Sequence, residues 1–280
     1  MQSSFSDLEY AAKKKQTRRD RFLVEIEAVT PWTSLLNVIA PYYPVSGSRG
    51  HPPIGLERML RMYVVQQCFG FSDEGAEDAI YDSQAIRRFI GIDLKREAAP
   101  DATTLLKFRH LLEAHHLTKS IFDAINAHLA ERGLFLREGT IVDVTLIAAP
   151  PSTKNREGKR DSEMHQTRKG KQWHFGMKVH IGVDAQSVSM RSQGAMRPSQ
   201  RKALPKTTAG ELMEKLEHTK SSIRAKVEHP FHVVKNLFMH RKTRYKGMAK
   251  NNAQMFLLFG LANLLLARRW LCRSDSQIAS

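Results

Sequence analysis

Hydrophobic positions in the first 135 residues recur at the spacing of α-helices. The first pattern follows the i, i+3, i+4, i+7 rule at Leu56, Met59, Leu60, Tyr63 and Val64. It predicts a helix with one apolar face. Ser72 and Asp101 stand where N-caps would begin a second and a third helix, and a fourth follows at 121–129. Short polar, proline or glycine breaks separate the four, which together predict a compact helical domain.

The period changes from helix to strand near residue 139. Residues 140–147 (TIVDVTLI) are rich in β-branched side chains, which is typical of a central strand covered on both faces. Residues 173–184 alternate between apolar and polar side chains, which predicts a strand or hairpin. On this alternation Trp173 and Phe175 are predicted to lie in the core rather than on a surface that stacks on bases. The basic segment 154–171 is predicted to be an exposed loop.

The last third of the chain returns to helical periodicity at Thr208, after an irregular stretch at 187–206. Its most apolar run, residues 255–267, contains Asn263 and is too short to span a bilayer, which needs roughly 20 residues. We expect this run to form a buried C-terminal helix.

The balance of charge narrows the choice of partner. The chain has 44 Lys and Arg against 28 Asp and Glu, a formal net charge of +16. Such a surface favours a polyanion, and nucleic acid is preferred over an anionic membrane. Positive residues also lie along the helical domain, at Arg87, Arg88, Lys107 and Arg109. The cluster at 13–19 (KKKQTRR) either contacts phosphates or forms a solvated helix face.

Cysteine and histidine give little support for structural metal or disulfide chemistry. The two cysteines, Cys68 and Cys272, form no CxxC motif, so we expect neither a disulfide framework nor a zinc knuckle. His165, His174 and His180 match no compact zinc spacing. The first twenty residues lack the apolar core of a signal peptide. These features predict a protein of the reducing cytoplasm, associated with the nucleoid.

One carboxylate stands out because of its surroundings. Asp143 is the single charge in the apolar strand at 140–147, and a buried carboxylate is costly unless it is paired or bound to a cation. Backbone donors or an arginine would satisfy it, and so would a divalent metal ion. The strand alone leaves both interpretations open.

A second carboxylate lies in a basic helical stretch near the C-terminus. At 100° per residue, Arg224 and Lys235 fall within 40° of Glu228 around a helix, so the three would share one face. A solvated face with an i,i+4 ion pair is the alternative interpretation. Pro230 should kink or restart the helix just after Glu228.

The sequence around Glu228 resembles the C-terminal signature of insertion-sequence transposases of the DDE type. That signature is tyrosine, two residues, arginine, three residues, glutamate, six residues, lysine. Arg224, Glu228 and Lys235 match it, whereas Ser221 stands at the tyrosine position. Residues 244–251 (RYKGMAKN) also resemble the tail that follows the signature.

Several upstream segments resemble the same family, in the same order. Residues 141–145 (IVDVT) are similar to the strand that bears the first catalytic aspartate, and residues 176–184 (GMKVHIGVD) to the strands after it. Residues 66–73 (QQCFGFSD), 87–91 (RRFIG) and 100–105 (PDATTL) are similar to the helical domain of the IS-five group. The resemblance covers roughly residues 40–268.

This resemblance implies an α/β fold, a ribonuclease-H-like mixed sheet with flanking helices, preceded by an all-helical domain. It implies a catalytic and metal-binding role for Asp143 and Glu228, with Mg²⁺ or Mn²⁺ as the cofactor for DNA cleavage and strand transfer. Phosphate or DNA contacts are implied for Arg224, Lys235, Arg244 and Lys246. The implied partners are terminal inverted repeats and target DNA, with a homo-oligomer in the synaptic complex and no membrane.

The second catalytic aspartate of the family has no counterpart in this chain. Family members carry it in a run resembling aspartate-alanine-glycine-tyrosine, which is absent here. The carboxylates between Asp143 and Glu228 are Glu157, Asp161, Glu163, Asp184, Glu211, Glu214 and Glu217. None fits the expected context. Since residues 195–198 (AMRP) resemble family text from farther downstream, we expect an internal deletion near 188–197 and an incomplete catalytic domain.

The resemblance therefore predicts four regions: a basic helical arm at 1–40, a helical DNA-binding domain at 41–135, an incomplete DDE catalytic domain at 136–270, and a tail at 271–280. It predicts a transposase that binds element ends but is catalytically impaired. The alternatives are a non-catalytic DNA-binding remnant that inhibits intact transposase, and a basic protein that binds RNA or the ribosome.

Overall fold

The computed structural model describes residues 15–45, 52–134, 140–151, 153, 158–184 and 228–278. The chain divides into two compact units. The first contains Met1–Gln67, Phe71–His115 and Arg268–Ser280, and the second contains Cys68–Gly70 and His116–Ala267. The predicted residues Arg224 and Ser221, the segment at 188–197 and the helical pattern at 208–227 lie outside the described residues.

The first unit is built from helices. They are α1 Arg18–Val29, α2 Trp32–Ile39 followed by a 3₁₀ turn at Ala40–Tyr42, α3 Leu56–Phe69, α4 Asp73–Asp82, α5 Gln84–Ile90 and α6 Ala102–Ala114. Both predicted caps are confirmed: the Ser72 hydroxyl accepts a hydrogen bond from the backbone of Gly75 at 2.9 Å, and the Asp101 carboxylate accepts one from Thr104 at 2.6 Å. Each cap satisfies an amide group that the first helical turn leaves without a backbone acceptor.

The core of the first unit forms around α3. Its predicted apolar positions Met59, Leu60, Tyr63 and Val64 are buried, and so is the polar Gln66. The helix is therefore enclosed on more of its circumference than one apolar face.

Arg109 does not belong to a positively charged surface, contrary to the prediction from sequence. It is 6% exposed, and its guanidinium donates to both carboxylate oxygens of Asp73 at 2.6 and 3.0 Å. Gln66 donates to the same carboxylate at 2.6 Å. Burial opposes ionisation of Asp73, but the bonds from Arg109 and Gln66 outweigh it and lower the pKa of the carboxyl group. Arg109 thus ties α6 to α4.

The second unit contains α7 Leu117–Glu131 and the part of α8 (Met248–Ile278) that precedes Arg268. These helices approach closely at Gly260, where an added Cβ would lie 2.9 Å from Cδ1 of Ile125. One turn away, Asn263 donates to the side chain of Asn126 at 3.1 Å. The predicted C-terminal helix is confirmed. Its segment Met248–Cys272 is long and apolar enough to cross a membrane by length and composition, but 56% of the apolar window is buried inside the protein, as in a core helix.

Three antiparallel strands form the described sheet, in the order β1-β3-β2. They are β1 Thr140–Ala148, β2 His165–Lys169 and β3 Gln172–Asp184. The predicted strand pattern of β3 is confirmed. The expected loop at 154–171 is wrong in part, because β2 lies within it. Its sequence HQTRK lacks an apolar alternation because β2 pairs on one side only, with β3, and an edge strand tolerates polar side chains.

The prediction that β1 is covered on both faces is wrong. Among the described residues, β1 pairs along its length with β3 only, and meets the chain after Glu228 at one parallel bridge, between Ala148 and Lys242. Val144 is 42% exposed. The apolar run reflects the strand propensity of β-branched residues, which does not require burial on two faces.

The core position predicted for Trp173 is also wrong. β1 pairs with β3 from Gly176 onward, so residues 172–175 pair only with β2 and extend beyond β1. Burial decreases along β3 toward the hairpin turn: Val179 and Met177 are buried, Phe175 is half-buried, and Trp173 is 66% exposed. The alternation predicted correctly which face of β3 carries Trp173, but it did not predict that the core ends before this residue.

The backbone is helical from 228 through Pro230 to 232, and the residues before Glu228, against which a kink or restart would be measured, lie outside the described residues. A proline ring keeps φ compatible with a helix and removes one hydrogen bond. The irregularity comes later, as a π-helix at Val233–Leu237 in which the amide of Phe238 donates to the carbonyl of Val233. The rule of 100° per residue therefore does not hold as far as Lys235.

Candidate functional site

The strand that bears Asp143 is contacted by the signature lysine. The Lys235 ammonium donates to Oγ1 of Thr145 at 2.5 Å and to the carbonyl oxygen of Leu146 at 2.9 Å. The π-helix positions the lysine, since Val233 and Val234 beside it are buried. Two signature elements separated by about 90 residues of sequence thus meet at β1, and a positive charge is held two residues from Asp143.

The two predicted catalytic carboxylates occupy different kinds of element. Asp143 lies on β1 in register with Ile181. Glu228 lies on the helical segment that leads to Lys235, and it is exposed. A carboxylate oxygen is the donor type that Mg²⁺ prefers, so both residues suit that ion chemically. Within the described ranges, no group of three or more His, Cys, Asp or Glu side chains is arranged to hold a metal ion.

The tail at 244–251 folds into a turn fixed by one buried amide. Asn251 has no exposed surface, and its side-chain nitrogen donates to the carbonyl oxygens of Tyr245 and Gly247, each at 2.7 Å. Gly247 adopts φ +90°, a conformation that favours glycine. Arg244 and Lys246 are exposed on this turn. Asn251 therefore presents the two predicted phosphate-binding residues to solvent.

Two acids of the segment before β2 cap the start of α8. The amide of Gly247 donates to Asp161 at 2.7 Å, and that of Met248 donates to Glu163 at 2.5 Å. The exposed N–H groups and the dipole at a helix N-terminus both favour carboxylates. Asp161 and Glu163, for which the sequence predicts no capping role, thus connect the hairpin to α8.

Arg244 lies against the turn that ends α3. A Cβ placed on Gly70 would lie 2.5 Å from a guanidinium nitrogen of Arg244. Gly70 has φ +68°, which a residue with a side chain adopts only at a cost. The glycine therefore serves two purposes: it reverses the chain after α3 and leaves room for the arginine.

His240 is a buried group in this region that the sequence did not indicate. It is 2% exposed, and its Nε2 has no hydrogen-bond partner among the described residues. Burial, together with the positive charge of Arg244, lowers the pKa of His240 to about 4 from the ordinary value of 6.5. The imidazole is therefore neutral at physiological pH and does not contribute to the positive charge.

The residues that sequence reasoning missed are Thr145, Asn251 and the acid pair Asp161 and Glu163. Thr145 carried a weak signal, since a polar side chain in an apolar strand needs a partner. Asn251 lay inside the recognised tail, but its role follows from burial, which a motif does not reveal.

Comparison with known families agrees with the order of these elements. Residues 10–111 match the family model described as Transposase domain (DUF772). Residues 134–219 and 190–264 match the model described as Transposase DDE domain. No solved structure matches the chain. The two family models, matched in succession along the chain, indicate a transposase with a DDE domain.

Proposed function

We propose that this chain is a transposase of an insertion sequence of the IS-five group that binds the ends of its element and is catalytically impaired. In an intact relative, three carboxylates hold two Mg²⁺ ions, which activate the attacking oxygen and stabilise the leaving oxygen of DNA. Here Asp143 and Glu228 would hold metal, while Arg224, Lys235, Arg244 and Lys246 would bind phosphates.

The contact of Lys235 with Thr145 and Leu146 carries this proposal. It brings the helix that follows Glu228 against the strand that holds Asp143. Alternate positions of a strand share one face, so the position of Asp143 belongs to the face on which Thr145 accepts the lysine. A cation held on this strand, in a chain of net charge +16, suits the binding of a phosphate there.

Impairment follows from the missing second aspartate. The DDE model matches in two overlapping pieces, 134–219 and 190–264, rather than in one stretch, and the start of the second piece falls within the region where the sequence predicts the deletion. Because Mg²⁺ binds weakly to protein carboxylates and keeps several waters, the loss of one ligand of three should leave the metal poorly held.

A joining assay with matched binding measurements tests the proposal. Inverted repeats in the DNA that flanks the gene would supply the cognate ends. We expect the purified chain to bind these ends in a gel shift and to give no strand transfer with Mg²⁺. Robust joining that Asp143→Asn and Glu228→Gln abolish would refute the impairment but retain the transposase. Failure to bind the ends would refute the function.

A second candidate function is the inhibition of intact transposase. It is favoured by the hydrogen bonds of Lys235 with β1 and of Asn251 with the turn bearing Arg244 and Lys246, because none of these bonds uses a carboxylate of the predicted metal site. A chain that binds ends without cutting them would compete for DNA or form mixed oligomers. Adding it to an intact relative that uses the same ends should then reduce joining in proportion to the end DNA that it occupies.

A further inference from the structure

The end of the β2–β3 hairpin exposes a large aromatic side chain. Trp173 is 66% exposed, beyond the part of β3 that pairs with β1. The hairpin turns at Gly170, which adopts φ +61°, and Lys171 beside it is exposed. A solvated tryptophan next to a basic turn is unusual for a side chain that normally contributes to a core.

Arginines accompany the aromatic residues on the same face of this hairpin. Arg168 pairs with Trp173 across the strands, and directly opposed residues lie on one face. The Nε of Arg168 donates to the carbonyl oxygen of Gly170 at 3.1 Å, which holds the side chain near the turn. Farther back, the guanidinium carbon of Arg160 lies 5.6 Å from the ring centre of Phe175. The face thus alternates aromatic and cationic groups.

This face continues to the strand that the signature lysine contacts. Val179 lies six positions along β3 from Trp173 and pairs with Thr145, which accepts the hydrogen bond from Lys235. At about 3.3 Å per residue, the two ends of the face are roughly 20 Å apart. Met177 and Val179 on this face are buried, so a ligand can reach only its exposed end, at Trp173.

We propose that Trp173 and Arg168 form a binding site for unpaired DNA bases at the exposed end of the β2–β3 hairpin. The inference rests on the proposed action on DNA. An indole offers a stacking surface to any base, and adjacent arginines bind the phosphates on either side. The net charge of +16 favours a polyanion over a neutral protein partner at this surface.

Binding of labelled oligonucleotides by Trp173→Ala tests the site. The probes are a single strand of mixed sequence and the duplex it forms with its complement. Losing one base–aromatic stack should weaken single-strand binding by about ten-fold, with a much smaller effect on the duplex. Trp270→Ala is the matched control, because Trp270 is 56% exposed on α8 and should leave both affinities unchanged.

The salt dependence of binding separates the two side chains. Arg168→Gln should reduce the slope of log affinity against log salt by about one, since one phosphate contact is lost. Trp173→Ala should weaken binding without changing that slope. Trp173→Phe should recover part of the affinity, because a smaller ring still stacks.

The outcomes are distinguishable. Wild-type protein that binds neither probe would refute this site, whereas the proposed function is refuted only by failure to bind the element ends. Wild-type binding that Trp173→Ala leaves intact would refute the site alone. If Trp173→Ala instead changes the mass of the oligomer in light scattering, with DNA affinity unchanged, the hairpin is an interface between copies and the inference is wrong.

Discussion

Replacement of Asn251 by alanine tests whether the tail turn is fixed by one buried amide. The side-chain nitrogen of Asn251 makes two hydrogen bonds of 2.7 Å to the carbonyl oxygens of Tyr245 and Gly247. Its side-chain oxygen accepts a longer bond of 3.4 Å from the amide of Tyr245. No other residue of the 244–251 motif is fully buried and hydrogen-bonded to the backbone of the turn.

The expected loss follows from these bonds. Each short bond contributes about 1 kcal/mol net, and a carbonyl left without its donor adds to the cost where water cannot replace it. Tyr245 and Gly247 are half-buried, so replacement by water is incomplete. We expect Asn251→Ala to lower the free energy of unfolding by about 2–3 kcal/mol. Asn251→Asp should cost at least as much, since it removes both donors.

Asn252 provides the control, because it is the next residue of α8 and is exposed. Both alanine substitutions gain the same helix propensity, so their difference in urea denaturation isolates the hydrogen bonds. Asn251→Ala should also weaken binding to duplex DNA several-fold, as Arg244 and Lys246 lose their fixed turn. If the two variants differ by less than about 0.5 kcal/mol, the amide does not hold the turn.

Three other predictions concern stability and the basic surface. Asp73→Ala should lower the free energy of unfolding by about 3 kcal/mol, because it leaves the buried Arg109 poorly paired; a loss below about 1 kcal/mol in urea denaturation would contradict this. Since burial lowers the pKa of His240 to about 4, the unfolded state takes up the proton first, so this contribution is complete above pH 6.5 and is lost as pH falls toward 4. It amounts to about 3 kcal/mol at most, and His240→Gln should flatten that part of the stability profile; an unchanged slope would count against the buried neutral imidazole. Gly70→Ala should cost about 1–2 kcal/mol from its φ of +68° and should displace Arg244, reducing the salt slope of DNA binding as Arg244→Ala does; an unchanged slope would show that the arginine is positioned by other contacts.

Local rules predicted the elements that short-range physics controls. Ser72 and Asp101 cap their helices as expected, because a cap is a contact within one turn. Hydrophobic periodicity likewise predicted the apolar positions of α3, the alternation of β3 and the buried C-terminal helix, since burial of one face imposes a period on the sequence. The pairing of Lys235 with β1 was not, because about 90 residues separate the partners in sequence.

The wrong predictions concern features that depend on residues close in space but distant in sequence. Trp173 lies on the predicted face of β3 but past the end of β1. The sequence of β3 does not reveal how far the neighbouring strand β1 extends, so it could not predict that Trp173 is uncovered. β2 has the polar composition typical of a loop, but among the described residues it pairs along one edge with β3, and an edge strand tolerates polar side chains. The charge of Arg109 predicts a surface position, but its partner Asp73 lies 36 residues away in sequence. At Lys235 a regular helical wheel does not apply, because the π-helix changes the angle per residue.

On the proposed function, DNA binding and DNA chemistry depend on different groups of this chain. The groups suited to phosphate lie on the π-helix, on the turn held by Asn251 and on the β2–β3 hairpin, where Lys235, Asn251 and Arg168 donate to hydroxyl or backbone carbonyl oxygens. Two-metal chemistry instead requires every carboxylate of the set, because each Mg²⁺ loses much of its affinity with one ligand. A deletion that removes the second aspartate would therefore abolish chemistry while leaving the basic surface. Such a chain is expected to occupy element ends without cutting them, which is the behaviour of an inhibitor.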